Sequence, residues 1–545
     1  MKVLGFQTGH DVSYCILENG VPIIHEELER FTREKEPLGD GLKMAFDMLN
    51  SEDMDDITYF TLGNYGHYQS FGIKKWQSRG CYYPEMVDKM NKITEKNNGK
   101  FFELGHHKSH AANAFFSSNF NEALIVTMDG GGGEEDGTIT AFTVWTGKDT
   151  KINEVEVIPI SKLNIGGFWS KCTENIFGLS TGYPYGNQAG TVMGMACIGK
   201  PKYLDEFYNV LKGSGSINYG NFKNIANKSE QDKFDIASSL QKATEKITKE
   251  VMTPFVEKYN MKKLCLSGGV ALNSVMIGQM YEWFEDIVDD IYVDPIPYDG
   301  GLSLGSARYV WHHILNNPRI KWEDNSTPYL GRTYSKEQVL DTLNNSTDLI
   351  EKLQSKSISI KFIETDDDKV VQLLTQDDNV ISVFGGGSES GRRALGNRSI
   401  LADPRSSNMK DIINEKVKHR QWFRPFAPSV LRDDVSEWFD RDVDSPYMTT
   451  VIQFKESARN KVPAVVHYDG SARLQTVTNN DNKWYYNFIK KFKKKTGVPI
   501  LLNTSFNDRE PIVETPEHAL NCFLGTDIDY LYFYDANILV EKISE

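Results

Sequence analysis

The stretch LIVTMDGGGGEEDGTITAFTVW, residues 124–145, reads as a buried strand over 124–128, an acidic glycine loop over 129–133, and a second hairpin from Thr138 to Trp145. A short apolar, β-branched run that ends in turn chemistry is the mark of such a strand. The same grammar opens the chain. Val3 to Phe6 and Ser13 to Leu17 are strand-like around the turn Gly9-His10-Asp11, and Val21 to Ile24 follows the turn Glu18-Asn19-Gly20. Pro22 is tolerated near the start of that third strand. The repetition predicts a duplicated strand-loop-strand unit. A further apolar strand, Leu264-Cys265-Leu266, runs into Ser267-Gly268-Gly269 and a helical pattern from Val270 to Met280, the layout of a nucleotide-facing edge. Ile236, Leu240, Ala243 and Ile247 recur at helical spacing and predict a helix over Phe234 to Val251, packed on a sheet.

Outward from this core, the sequence from Asn316 to about Lys356 turns polar and irregular, which places a domain boundary there, with domains over 1–350 and 351–545. The second core starts near Ile358 and closes on strands at Leu531 to Phe533 and Ile538 to Val540. A chain of 545 residues, 39% hydrophobic and 25% charged, is globular and too long for one small binding module. No apolar run approaches the ~18 residues of a membrane span, and the first residues lack the pattern of a secretory signal. Six scattered cysteines form no C-x-x-C pair. The expectation is a cytoplasmic protein with reduced thiols and no membrane partner. A formal net charge of −14 repels nucleic acid at long range, whereas a small anionic substrate needs only a few local Arg and Lys.

Several segments carry chemistry. In Gly105-His106-His107-Lys108-Ser109-His110, a helix would project His106 and His110 together at i and i+4, and two imidazoles so placed can share a metal. Asp129 and then Asp299 are the best-placed carboxylates to complete the set, a mixture suited to iron, manganese or zinc. The alternative is a polar helix start with Asp129 as a turn residue. Gly130 to Gly133 offer backbone N–H groups to a phosphate, or form a hairpin turn. In the second domain, Arg and Lys stand among buried-looking residues: Glu389 to Ile400 holds Arg392, Arg393 and Arg398, and Lys416 to Pro428 holds Lys418, Arg420 and Arg424. Arg473, with Ser505, Asn507 and Arg509 of the segment Leu502 to Arg509, adds to them. Semi-buried guanidinium groups suit bidentate phosphate or carboxylate recognition; structural salt bridges are the other reading.

Taken together, the motifs GHD (9–11), ELERFTREK (27–35), HHKSHAANAF (106–115), VTMDGGG (126–132), VMGMACIGKP (192–201), LSGGVALNS (266–274), PYDGGLSLGSA (297–307), RALGNRSILADPR (393–405), KHRQWFRPFAP (418–428) and LNTSFN (502–507) resemble the O-carbamoyltransferases of the nodulation and antibiotic-tailoring type. The resemblance implies an N-terminal duplicated ASKHA (actin/hexokinase-like) domain and a C-terminal YrdC-like α/β domain. It implies an ATP-dependent carbamoyltransferase in which carbamoyl phosphate and ATP, with Mg, give carbamoyl-adenylate, and the carbamoyl group then passes to an acceptor hydroxyl. On that resemblance Lys418, Arg420, Arg424, Arg473, Ser505, Asn507 and Arg509 form the carbamoyl phosphate and ATP pocket. His106, His110, Asp129 and Asp299 hold a divalent metal, commonly iron. Gly130, Gly131, Gly268, Gly269 and Asn273 line the nucleotide loops, and His10 or Asp235 is the general base. The chain departs from the family at Asn187-Gln188-Ala189-Gly190-Thr191, before the VMG motif, and at Arg392, where Pro is usual.

Two acceptor classes stay open: a small hydroxylated metabolite such as a sugar, or a hydroxymethylated pyrimidine in DNA. The second is prompted by Tyr65 to Tyr83, which interleaves Lys74, Lys75 and Arg79 with aromatic rings; the other reading of that segment is a lid over a small acceptor. A lysine-rich helix over Trp484 to Lys495 adds cations, or is a solvated face. Transfer of threonylcarbamoyl to tRNA and a non-catalytic ATP-binding regulator are the remaining classes.

Overall fold

The computed structural model describes residues 1–65, 77, 80–182, 186–321, 328–345 and 358–544. The chain divides into two units, Met1–Thr327 and Pro328–Glu545. No helix among the described residues is long and apolar enough to cross a membrane.

The first unit is built on two five-stranded sheets with one topology. Strands Lys2–Gln7, Ser13–Glu18, Val21–Glu27, Ile57–Leu62 and Lys100–Glu103 lie in the order third, second, first, fourth, fifth. Strands Glu122–Gly133, Ile139–Lys148, Lys151–Pro159, Lys263–Ser267 and Asp290–Val293 repeat that order. In both, the first three strands pair antiparallel and the last two run parallel to the first. This is the duplicated actin/hexokinase-like arrangement. The copies differ in the connection between third and fourth strands. It spans Glu27 to Ile57 in one, but in the other it carries five helices, Ile165–Asn175, Ala189–Ala196, Leu204–Leu211, Tyr219–Ala226 and Glu230–Tyr259.

Strand periodicity assigns the faces of the first sheet. Leu4, Phe6, Tyr14, Ile16, Phe60 and Leu62 point into one cluster, with Leu42 and Ala45 of the helix Gly41–Met48 and Met90 of the helix Pro84–Lys96. Gly5 points the other way, where a Cβ would lie 2.0 Å from the Ser303 carbonyl oxygen of the helix Leu302–Arg308. That helix presses in turn on the helix His106–Ser117, where a Cβ at Gly305 would lie 2.0 Å from the Ser109 carbonyl oxygen. Hydroxyls fill the seams: Ser13 Oγ donates to Gly300 O (2.8 Å) and Ser303 Oγ (2.9 Å), and Thr61 Oγ1 meets Ser306 Oγ at 2.8 Å. Farther along, Asp294 accepts from Asn113 Nδ2 and Ser117 Oγ, both at 2.8 Å, and Arg308 donates to Asn113 Oδ1.

Three expectations are corrected. The glycine loop expected at 129–133 is a continuation of the strand Glu122–Gly133. The pairing with Ile139–Lys148 breaks register between Met128 and Gly132, then resumes as Gly132 to Thr140 and Gly133 to Ile139. Residues without side chains still pair backbone to backbone, and the bulge turns Asp129 out of the pleat. The helix from Phe234 runs on through Pro254 to Tyr259, where Asn260 at φ 48° ends it. The helix expected from Val270 is a 3-10 turn, Gly269–Leu272, followed by Ser274–Trp283 capped by Asn273.

The second unit has a mixed nine-stranded sheet in the order Ile358–Glu364, Ile538–Ser544, Tyr530–Phe533, Ile381–Phe384, Arg398–Ala402, Ile500–Ser505, Ala427–Leu431, Ser471–Val477, Thr450–Gln453. The division of the chain at Thr327/Pro328 precedes the boundary expected at 350/351, which itself lies outside the described residues. The reason is local. Ser390 N–H donates to Pro328 O (2.6 Å), Tyr329 Oη to Leu395 O (3.0 Å) and Gly331 N–H to Ser388 O (3.0 Å), so the strap belongs to the second unit. The helix Lys336–Asn345, in a stretch expected to be irregular, buries Val339 and Leu343.

Replacing Gly305 by Ala forces apart two helices that touch through backbone, and should destabilise the protein by about 1–3 kcal/mol. Gly190, in a helix and with open space around its Cα, should accept Ala with no loss. Thermal melts of both variants check the contrast.

Candidate functional site

The first constellation begins at the N-terminus of the helix His106–Ser117. His106 and His110 lie one turn apart, with ring centroids 4.7 Å apart at 76°. The bulged strand brings Asp129 to them, and the turn before the helix Leu302–Arg308 brings Asp299. Asp129 Oδ2 is 4.0 Å from His106 Nε2 and 3.4 Å from His110 Nε2; Asp299 Oδ1 is 3.6 and 3.5 Å from the same atoms. One ligand atom from each residue falls within a 4.8 Å spread. His106, His110 and Asp299 are buried, and both nitrogens of His106 and Nε2 of His110 lack a hydrogen-bond partner. Buried polar atoms without partners are costly, so an ion among these four donors would satisfy them. Two imidazoles and two carboxylates suit iron, manganese or zinc.

Neighbours hold Asp129 and His110 in place. Gly269 N–H donates to Asp129 Oδ2 (2.7 Å) and Gly130 N–H to Asp129 Oδ1; Ser267 Oγ lies 3.3 Å from His110 Nδ1. Burial dominates at His106 and keeps it below its usual pKa. At His110, burial is outweighed by the attraction of Asp129 and Asp299, which lifts the imidazole to about 9. Burial of Asp129 is outweighed by His110, then His106 and the Gly269 N–H, so its carboxyl stays well below the usual range.

Sequence reasoning passed over His107. It is fully buried, with Nδ1 2.7 Å from Thr127 Oγ1 and Nε2 3.0 Å from Thr140 O. It thereby pins the start of the helix to the strand that carries Asp129. The doubled His was the signal, but its inward direction is a matter of tertiary packing.

His10 reaches the same centre. Its Nε2 is 3.6 Å from Asp299 Oδ2, its Nδ1 is 2.9 Å from Asp11 Oδ2, and its side chain is 57% exposed. Asp235 is differently employed: Oδ1 accepts from Lys200 N–H and Gln231 Nε2, both at 2.8 Å, and the carboxylate pairs with Lys202. Of the expected nucleotide loops, Gly130 and Gly269 contact Asp129 through their N–H groups. Gly131 and Gly268 have φ of 133° and 88°, and a Cβ at Gly268 would strike Met128 O at 2.1 Å. Asn273 exchanges hydrogen bonds with Gln241, at 2.9 and 3.1 Å, and caps its helix.

The second constellation lies in the second unit. Lys418 is buried and donates to Ser505 O (2.5 Å), Asn507 O (2.7 Å) and Asn507 Oδ1 (2.7 Å), so it underpins the Ser505–Asn507 turn. Ser505 Oγ donates to Asn507 Oδ1 at 2.8 Å. Asn414 clamps the next segment: its Oδ1 accepts from Arg420 Nε (2.8 Å), and its Nδ2 donates to Trp422 O (3.2 Å) and Arg424 O (3.0 Å). The Arg420 guanidinium stacks 4.7 Å from the Phe426 ring. Burial, then the charges of Arg393, Arg420 and Arg424, push Arg473 well below its usual pKa, and its Nε has no partner. Arg393, Arg420, Arg424 and Arg473 are each half-buried, and the charges of the first three reach the fourth. Arg393 was legible only as half of a doubled Arg. Arg509 is exposed and donates to His419 O at 3.3 Å.

Residues 69–308 match the family described as Carbamoyltransferase N-terminus, and residues 371–542 match Carbamoyltransferase C-terminus. The chain belongs to the carbamoyltransferase family. It is 31% identical to the uncharacterized protein sll1178 of Synechocystis, over 96% of this chain and 94% of that protein. It is 35% identical to nodulation protein NolO of Bradyrhizobium diazoefficiens, over 78% and 77%, and 35% identical to nodulation protein NolNO of Sinorhizobium fredii, over 80% and 64%. Among solved structures it is similar to HypF of T. kodakarensis, with 12% identity and a TM-score of 0.37 over 60% of this chain and 48% of that one. This carbamoyltransferase is therefore a transferase enzyme. The first match ends at Arg308, the last residue of the helix that follows Asp299, and the second begins in the helix Asp367–Leu374.

The carbamoyltransferase should purify with a divalent metal. His110→Ala and Asp299→Asn should each lower metal content at least about tenfold, since loss of an outer partner alone costs about 10–100-fold. Elemental analysis alongside circular dichroism checks this; full occupancy in both variants would remove the assignment.

Proposed function

We propose that the protein is an O-carbamoyltransferase working in two half-reactions. In the second unit, carbamoyl phosphate, ATP and water give carbamoyl-adenylate, phosphate and pyrophosphate. The adenylate then meets the hydroxyl of an acceptor, a C–O bond forms at the carbamoyl carbon, and AMP leaves. The observation that carries this reading is the presence, on one chain of this family, of a His2Asp2 cluster in the first unit and of half-buried arginines whose charges reach Arg473 in the second.

Each residue has a task. Arg393, Arg420, Arg424 and Arg473 neutralise the phosphates of carbamoyl phosphate and Mg-ATP; crowded cations already in place at the site need no reorganisation when charge develops. Lys418 fixes the Ser505–Asn507 turn beside the substrates, and Arg509 stands at the outer edge. In the first unit His106, His110, Asp129 and Asp299 hold the metal, iron in our reading, with manganese or zinc as the alternatives. When bound it supplies Lewis acidity toward the departing phosphate. Gly130, Gly131, Gly268 and Gly269 leave room for the nucleotide, and Asn273 fixes the helix behind them. His10, oriented by Asp11, is the candidate to take the acceptor proton, although burial is outweighed by Asp11, Asp299 and Glu36, which lift its imidazole to about 10. Asp235 is the weaker candidate, because its oxygens are already engaged by Lys200, Gln231 and Lys202.

The acceptor is a small hydroxylated metabolite. The DNA reading rested on Tyr65 to Tyr83, of which residues 66–76 and 78–79 lie outside the described residues.

Arg420→Ala and Lys418→Ala should abolish AMP formation that depends on ATP and carbamoyl phosphate. His110→Ala should stop transfer while sparing pyrophosphate release. Equal loss of both signals in the His110 variant would count against divided half-reactions. Mass spectrometry across sugars, aminoglycosides, nucleosides and hydroxymethylated DNA should find one acceptor heavier by about 43 Da, the added CONH of a covalent transfer.

A further inference from the structure

The segments that carry the arginines also carry an aromatic rim that phosphate binding alone does not require. Trp422 and Tyr468 are 45% and 53% exposed, unusual for rings of this size. They meet edge to face, with centroids 5.6 Å apart at 89°, and form an open corner. Both rings are held by the segments that carry the arginines. Trp422 lies between Arg420 and Arg424, and Asn414 bonds all three residues. Tyr468 lies in the turn closed by His467 N–H on Ser471 O (2.8 Å) and Gly470 N–H on His467 O (3.0 Å). From that turn the strand Ser471–Val477 leads directly into Arg473. Lys410 covers the Tyr468 ring, its Nζ 4.0 Å from the centroid, and places one more cation at the rim.

Carbamoyl phosphate is small and has no flat apolar part. It can use the arginines but gains nothing from two exposed rings. A nucleoside triphosphate has both parts: phosphates for the guanidinium groups, and a heteroaromatic base that stacks on an aromatic ring. We propose that Trp422 and Tyr468 are the base-stacking seat of the ATP site in the second unit, with the triphosphate extending from this corner onto Arg420, Arg424 and Arg473. This rests on the reading above that the second unit binds ATP. It adds where the base lies and how it is recognised, by its π-face. Stacking of that kind tolerates any base, so GTP should replace ATP with only a modest rise in KM.

The test compares a ligand that has a base with one that lacks it. KM for ATP and for carbamoyl phosphate, and Ki for inorganic tripolyphosphate, are measured for the full-length enzyme and for Trp422→Ala, Trp422→Phe and Tyr468→Ala. Loss of stacking should raise KM for ATP about tenfold or more in both alanine variants, with kcat at saturating ATP changed less than about threefold. Ki for tripolyphosphate and KM for carbamoyl phosphate should stay within about twofold, and Trp422→Phe should restore most of the ATP affinity. If tripolyphosphate weakens as much as ATP, the rings only support the arginines and the proposal falls. If KM for ATP is unchanged in an enzyme that still consumes ATP, the base lies elsewhere. If the unaltered enzyme binds neither ATP nor tripolyphosphate, the reading of the second unit as an ATP site fails with it.

Discussion

Backbone touching backbone sets the geometry of the first unit. Gly5 lies against Ser303 O, Gly63 against Leu302 O and Gly305 against Ser109 O, each so close that no Cβ fits. Two helices of opposite halves, His106–Ser117 and Leu302–Arg308, thus approach as closely as main chains can. Their small residues make this feasible, and the hydroxyls of Ser13 and Thr61 on the first sheet bond those of Ser303 and Ser306 on the second helix. His106 and His110 stand at the start of one helix and Asp299 just before the other. Their 3.5 to 3.6 Å separations follow from that approach, and any wider packing would leave four scattered polar side chains.

Both constellations hold electrostatic demand that their own residues do not meet. In the first, imidazole nitrogens are buried without partners beside two carboxylates. In the second, Arg473 feels three other guanidinium groups. Arg398 is an instructive contrast. It too is buried, but it stacks 3.6 Å from the Phe384 ring and donates to the carbonyls of Gly385, Gly386, Asn397 and Arg332. One arginine of the segment thus spends its terminal nitrogens on carbonyls, while the charge of its neighbour Arg393 reaches Arg473. A folded protein tolerates unmet charge where a ligand completes it.

This distinction marks the limit of what could be read from the residues. The duplicated sheets were legible because alternation and turn chemistry are local, and they appeared both at Val3 and at Leu124. The pairing of His106 with His110 was legible because helical spacing is local too. Asp129 stood out by its place before four glycines, although the glycines themselves proved to be bulged strand; a missing side chain says little about backbone pairing. Nothing local separates Arg393 from Arg398, shows His107 turning inward to Thr127, or reveals that Asp235 is occupied by Lys200 and Lys202. Those facts depend on partners more than 10 residues away or on which way a side chain faces, and sequence spacing fixes neither.

The unequal connections in the two copies carry a consequence of their own. In the first copy the chain passes from Glu27 to Ile57 in a short crossing, while in the second it inserts five helices between Pro159 and Lys263. Each crossing joins the third strand of its copy to the fourth, and the strand order is the same in both despite the difference in length. The two copies thus share a frame but not a surface: the helices of the longer crossing, among them Glu230–Tyr259 with its buried Asp235, belong to the second copy alone.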